Sequence, residues 1–104
     1  MSKQRERLTP EERKSRILSA AVSLAIKGNY AEVTRHDIAE FAQVSPTLVS
    51  HYFGKPEDLR DAIMREAIKW NNPFILAQGL VRKDPLALEA PEDLRKSAIK
   101  TINN

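Results

Sequence analysis

The stretch Thr34–Phe53 limits the folds open to this chain more than any other segment. Its apolar positions Ile38, Ala39, Ala42, Val44, Val49 and Phe53 are spaced to bury one face of each of two short helices that cross steeply. Ala39 is the small contact that lets the two backbones approach. Thr34 caps the first helix, with Asp37 placed to answer it, and Gln43-Val44 form the turn. Ser45 caps the second helix and Pro46 occupies its first turn. A face carrying Thr47, Ser50 and His51 is left out of the core. A hairpin of this kind, with a polar second helix, is a helix-turn-helix, the arrangement that enters the DNA major groove.

The flanking sequence continues in the same helical vein. Thr9-Pro10-Glu-Glu12 is a capping box with proline at the first helical position. Ile17, Ala20, Ala21, Leu24 and Ala25 then form one stripe, so a helix over Pro10–Lys27 is expected, ended by Gly28 in a left-handed conformation. Tyr30 and Val33 close the core over that end. Gly54-Lys55-Pro56 breaks the chain before a fourth helix, whose acids Glu57, Asp58 and Asp61 come early and whose bases Arg65 and Lys69 come late. Leu59, Ala62, Ile63, Ala67 and Trp70 line one face of it, and Trp70 with Phe74, Leu76, Leu80 and Val81 forms an apolar stretch that reads as core packing or, preferably, as a dimer interface. After Asn71-Asn72-Pro73, the residues Phe74, Leu76, Ala77, Leu80 and Val81 suggest a short helix interrupted by Gly79. A last amphipathic helix from Pro91 would present Leu94, Ala98, Ile99 and Ile102. No strand pattern is present, so the fold class is all-α: a three-helix, homeodomain-like head, a fourth helix, and one or two short C-terminal helices.

Charge and composition narrow the chemistry. With 104 residues the chain supports one domain and a small appendage. The net charge of +3 resides in residues 1–16, where Lys3, Arg5, Arg7, Arg13, Lys14 and Arg16 face Glu6, Glu11 and Glu12, and the remainder sums to zero. A basic arm over residues 1–8 suits a polyanion, although taken alone it reads more readily as a solvated tail. Cysteine is absent, which excludes disulfides and thiolate metal sites and makes a cytoplasmic location the default. No apolar run has membrane-spanning length, so no membrane partner is expected. His36 and His51 fall on different helices and imply no metal. No nucleophile–base–acid spacing stands out, so no enzyme and no cofactor are expected.

The carrying pattern is Ile17-Leu-x-Ala-Ala21, Gly28-Asn-Tyr30, Val33-Thr-x-x-x-Ile-Ala39, Val44-Ser-Pro-Thr-Leu-Val49, His51-Tyr-Phe-Gly54 and Glu57-Asp-Leu59. In these motifs, over Arg16 to Arg65, the chain resembles the N-terminal DNA-binding domain of the tetracycline-repressor family of bacterial transcription regulators. The resemblance implies that the third helix reads the major groove and that the fourth leads away from DNA. This sequence departs from the family pattern at three local positions. Gln43 replaces the usual turn glycine, Lys55-Pro56 replaces Ser-Lys, and Ser50 replaces a frequent aromatic. The family also continues into a long dimerising, ligand-enclosing domain. Here the residues after Trp70 are too few to enclose a pocket of roughly 300 Å3, so no small-molecule inducer is expected. The sequence is then either a short regulator without an inducer domain or a fragment of a longer one, with the ending Thr101-Ile-Asn-Asn104 reading as a natural terminus.

The candidate contacts follow from the hairpin and the resemblance together. Thr47, Ser50 and His51 are assigned to base edges, Thr47 to a thymine methyl and the other two to weakly selective hydrogen bonds. Arg35 and His36, opening the second helix, add specificity together with DNA shape. Thr34, Arg35 and Tyr52 are assigned to phosphates, with Lys55 their neighbour; Tyr52 reads equally as packing under the first helix. Ser45 and Pro46 complete the interface at the start of the third helix. The chain divides into the arm 1–8, the helix-turn-helix domain with its fourth helix 9–70, and a helical segment 71–104 that is a candidate dimerisation element. The expected function is sequence-specific repression by a homodimer on a palindromic double-stranded operator. The alternatives are a plasmid or phage accessory protein for replication, partition or recombination, and a heterodimerising antagonist of a longer regulator.

Overall fold

Helix boundaries in the computed structural model, which describes residues 8–103, fall where caps and prolines place them. The elements are α1 Pro10–Lys27, a 3-10 turn Tyr30–Glu32, α2 Arg35–Ala42, α3 Pro46–Phe53, α4 Pro56–Lys69, α5 Pro73–Arg82, α6 Pro85–Leu88 and α7 Glu92–Asn103. No strand occurs among the described residues. The basic arm with Lys3, Arg5 and Arg7 lies outside them.

At the start of α1 the expected capping box is complete: the Thr9 hydroxyl accepts from the Glu12 amide at 3.1 Å, and the Thr9 amide donates to the Glu12 carboxylate at 2.9 Å. Such reciprocal caps satisfy amides that the first turn leaves without partners. Ile17, Ala20, Ala21 and Ala25 bury the inward face of this helix, with Leu24 at its margin. Its end differs from expectation. Gly28 is not left-handed (φ −128°, ψ −117°); its amide still bonds the Leu24 carbonyl at 3.0 Å, and the chain leaves in an extended turn that Asn29 caps.

The helices α1, α2 and α3 pack as a three-helix head, and α4 runs from that head to α5, with α6 and α7 beyond. The radius of gyration, 14.5 Å, exceeds the value of about 13 Å expected for a compact chain of this length. The excess reflects helices added at one end of α4 rather than wrapped around the head.

Four features of the C-terminal half correct the sequence reading. Gly79 does not interrupt α5, which runs through it. A Cβ there would sit 2.5 Å from the Met64 Cε and 2.8 Å from the Ala87 Cβ, so glycine is what allows α5 to lie against α4 and α6. Three helices follow α4, rather than one or two, because Lys83 in a left-handed conformation ends α5 and Asp84-Pro85 starts a separate short helix. Trp70 leaves the α4 core face: the helix ends there, Asn71 reverses the chain at φ 55°, and the indole is 68% exposed. On α7 the buried pair is Leu94 and Ala98, which seat the helix on α5, whereas Ile99 and Ile102 turn outward and are each 47% exposed.

Polar side chains join the two halves. Gln78 on α5 accepts from the Tyr30 amide at 2.7 Å and donates to the carbonyls of Ala25 (3.0 Å) and Gly28 (3.3 Å). The Tyr30 hydroxyl donates to the Asp84 carboxylate at 2.5 Å. Burial first, then the Asp84 hydrogen bond and charge, raise the Tyr30 phenol above its usual range.

Two measurements check this packing. Gly79→Ala should lower unfolding stability by about 1–3 kcal/mol in urea titrations, through overpacking against Met64 and Ala87. Because the folded-state pKa of Tyr30 is raised, its contribution is whole below the unfolded value of about 10 and is lost as pH climbs above it. Tyr30→Phe should therefore cost about 1–2 kcal/mol near neutrality, and less as pH rises beyond 10.

Candidate nucleic-acid interface

The hairpin is held by three local devices. At α2, the Thr34 hydroxyl accepts from the Asp37 amide (3.1 Å) while the Asp37 carboxylate accepts from the Thr34 amide (3.2 Å). Between the helices, Gln43 adopts the left-handed conformation, φ 61° and ψ 48°, and the Val44 amide returns to the Ala39 carbonyl at 3.0 Å. At α3, the Ser45 hydroxyl accepts from the Leu48 amide at 3.1 Å, with Pro46 in the first turn. Ile38, Ala39, Val49 and Phe53 are buried, which fixes the rotation of α3 about its own axis.

That rotation decides what α3 presents. Thr47 and His51 are exposed one turn apart, on the side away from Val49 and Phe53. Ser50 is half-buried and leans toward α2, where its hydroxyl accepts a 2.6 Å hydrogen bond from the Arg35 guanidinium. Among the three base-edge candidates, Thr47 and His51 thus stand free, while Ser50 orients an arginine. The sequence offered no signal for this pairing, because the partners lie on different helices and meet only once the crossing angle is set.

The remaining candidates surround this face. Thr34, Arg35 and His36 are exposed at the first turn of α2, where the positive end of the helix dipole adds to the arginine charge. Pro46 is half-buried and serves chiefly to start α3. Tyr52 is half-buried, packed against the core margin and edge-on to the His51 ring with centroids 5.1 Å apart, so packing accounts for part of its position. Lys55 is exposed at the α4 N-cap, its amide bonded to the Asp58 carboxylate at 3.1 Å. Gly54, at φ 75°, holds the sharp exit from α3; a Cβ there would meet that carboxylate at 2.9 Å. Arg60, on the second turn of α4, lines a groove together with Arg35, Ser50 and Lys55 and was hidden in the sequence among Glu57, Asp58 and Asp61.

Residues 17–63 match the family model described as bacterial regulatory proteins, tetR family. Over these residues the chain belongs to the tetR family. The matched residues run from the first buried position of α1 into α4, and so contain the whole hairpin. Among curated proteins, the HTH-type transcriptional regulator LuxR of Vibrio harveyi is 32% identical over 71 residues, covering 68% of this chain and 35% of that protein. The chain therefore spans about a third of the length of this relative. No solved structure matches the chain.

In the tetR-family head the turn position bears a measurable strain. A non-glycine residue in the left-handed region costs about 1 kcal/mol. Gln43→Gly should accordingly raise unfolding stability by about 0.5–1 kcal/mol, read as a higher denaturation midpoint at constant slope.

Proposed function

We propose that this chain is a sequence-specific, double-stranded-DNA-binding transcriptional regulator that represses by occupying an operator, with α3 inserted in the major groove. The observation that carries the reading is the division of α3 into a buried side, Val49 and Phe53, and an exposed side, Thr47 and His51. The cations Arg35 and Lys55 flank that exposed side, on the helices before and after. Phosphate contacts from the α2 N-terminus, Arg35 and Lys55 position the helix, and Thr47 and His51 read base edges. Arg35, oriented by Ser50, is a third candidate reader and the one with the strongest hydrogen-bonding potential.

The proposed assembly is a homodimer on a palindromic operator with half-sites about one helical turn apart. Support comes from Trp70, Phe74 and Val81, which are 68%, 57% and 68% exposed at the end of α4 and along one side of α5. Phe74 and Val81 share a helical face, and a two-fold partner would cover both. The relative from Vibrio harveyi bears the description of a transcriptional regulator, which agrees with the regulatory part of the proposal.

Binding selections from random duplex DNA should return an inverted repeat. With about five phosphate contacts per subunit, log affinity should fall against log salt with a slope of about −4 to −5 per subunit. An affinity indifferent to salt would rule out the phosphate contacts. Replacing Thr47 and His51 together by Ala should reduce the preference for selected over random duplex by about tenfold or more, with the melting temperature nearly unchanged. Equal preference in both proteins would remove these residues from base reading.

A further inference from the structure

The end of α3 and the starts of α2 and α4 border a groove whose lining carries Arg35, Lys55 and Arg60, with Glu32 as the one acid. The apolar side chains beneath, Val49, Phe53 and Leu59, are already buried by the head, so what the groove offers a partner is its charge. None of the three cations makes an ion pair with a carboxylate among the described residues; Arg35 donates to the neutral hydroxyl of Ser50. Glu57 lies one turn before Arg60 and is spaced for a helix-surface pair, yet that pair does not form. A half-buried guanidinium without a counter-charge has given up part of its hydration for no partner, and so favours an anion brought from outside.

The start of α4 is itself a poor anion site. Pro56 opens the helix and has no amide hydrogen, and the Lys55 amide is engaged by the Asp58 carboxylate at 3.1 Å. Glu57 and Asp58 place negative charge on the same turn, which opposes the attraction of the helix dipole for a phosphate. Side chains on a helix lean toward its N-terminus, so Arg60, on the second turn, reaches back toward Lys55 and the groove. We propose that Arg60 is a DNA-backbone contact of this head, its guanidinium pairing with a phosphate of the strand that borders α3, alongside Arg35 and Lys55. The contact sets the depth and angle at which α3 lies and carries no base information. It rests on the DNA-binding reading and adds to it a residue of α4 that acts where the helix terminus is blocked.

Salt titrations of duplex affinity with the full chain test the assignment. Against both a selected and a random duplex, Arg60→Gln should weaken binding by a similar factor, about tenfold, and flatten the slope of log affinity on log salt by about 0.9. Arg60→Lys should keep the slope, because the charge remains. Lys100→Gln, which removes the same charge from the exposed side of α7, should leave the slope unchanged. An unaltered slope in Arg60→Gln, a slope lost in Arg60→Lys as well, an equal change in Lys100→Gln, or a loss confined to the selected duplex would each overturn the contact and leave the DNA-binding reading intact. An unsubstituted chain that binds no duplex at any salt would instead overturn that reading, and the contact with it. The Nε–H resonance of Arg60 in the unsubstituted chain needs no variant: it should shift saturably on duplex addition, and a resonance indifferent to bound duplex would overturn the contact.

Discussion

The joint between Gln78 and the end of α1 is the interaction on which the arrangement of the whole chain depends. A helix terminus leaves carbonyls without partners, and burying that terminus is costly unless something donates to them. Gln78 donates to the carbonyls of Ala25 and Gly28 and accepts from the Tyr30 amide, so one side chain answers three backbone groups. Tyr30 can then be buried with its hydroxyl on Asp84, which itself caps α6 through the Leu86 amide. Without this joint, α5 would still pack on α4 through hydrocarbon but would lose the hydrogen bonds that hold it against the end of α1. The head and the C-terminal helices therefore form one packed body, joined through polar groups at one edge and through Met64, Gly79 and Ala87 at the other.

Much of this was legible from local chemistry. The helix starts at Thr9, Thr34 and Ser45 are capping interactions within four residues, and each occurs where the sequence places it. The left-handed Gln43 follows instead from the resemblance, which sets a glycine at that turn position. What could not be read required knowledge of the partner surface. Gly79 looked like a helix breaker because its meaning lies in Met64 and Ala87, which are remote in sequence or on another helix. Trp70 was placed on the same helix face as Leu59, Ile63 and Ala67 because apolar periodicity carries no information about where a helix stops. The outward turn of Ile99 and Ile102 followed from α7 seating on α5 through Leu94 and Ala98, a rotation that the sequence of α7 alone does not set. For the candidate site, the placement of Thr47 and His51 was legible from the wheel of α3. The capture of Ser50 by Arg35 was not, since it depends on the crossing of two helices.

The link between Arg35 and Ser50 has a consequence for the variation open to the recognition surface. The two positions form a single unit: the hydroxyl holds the guanidinium, and the guanidinium occupies the hydroxyl. A side chain at position 50 that cannot accept a hydrogen bond would alter that position and would also free a long cation on the neighbouring helix to sample other orientations. A change at position 35 would, in turn, release Ser50 to face outward as an independent donor and acceptor. Divergent descendants of this head should alter the two positions in concert, so the surface has fewer independent variables than its polar residues suggest.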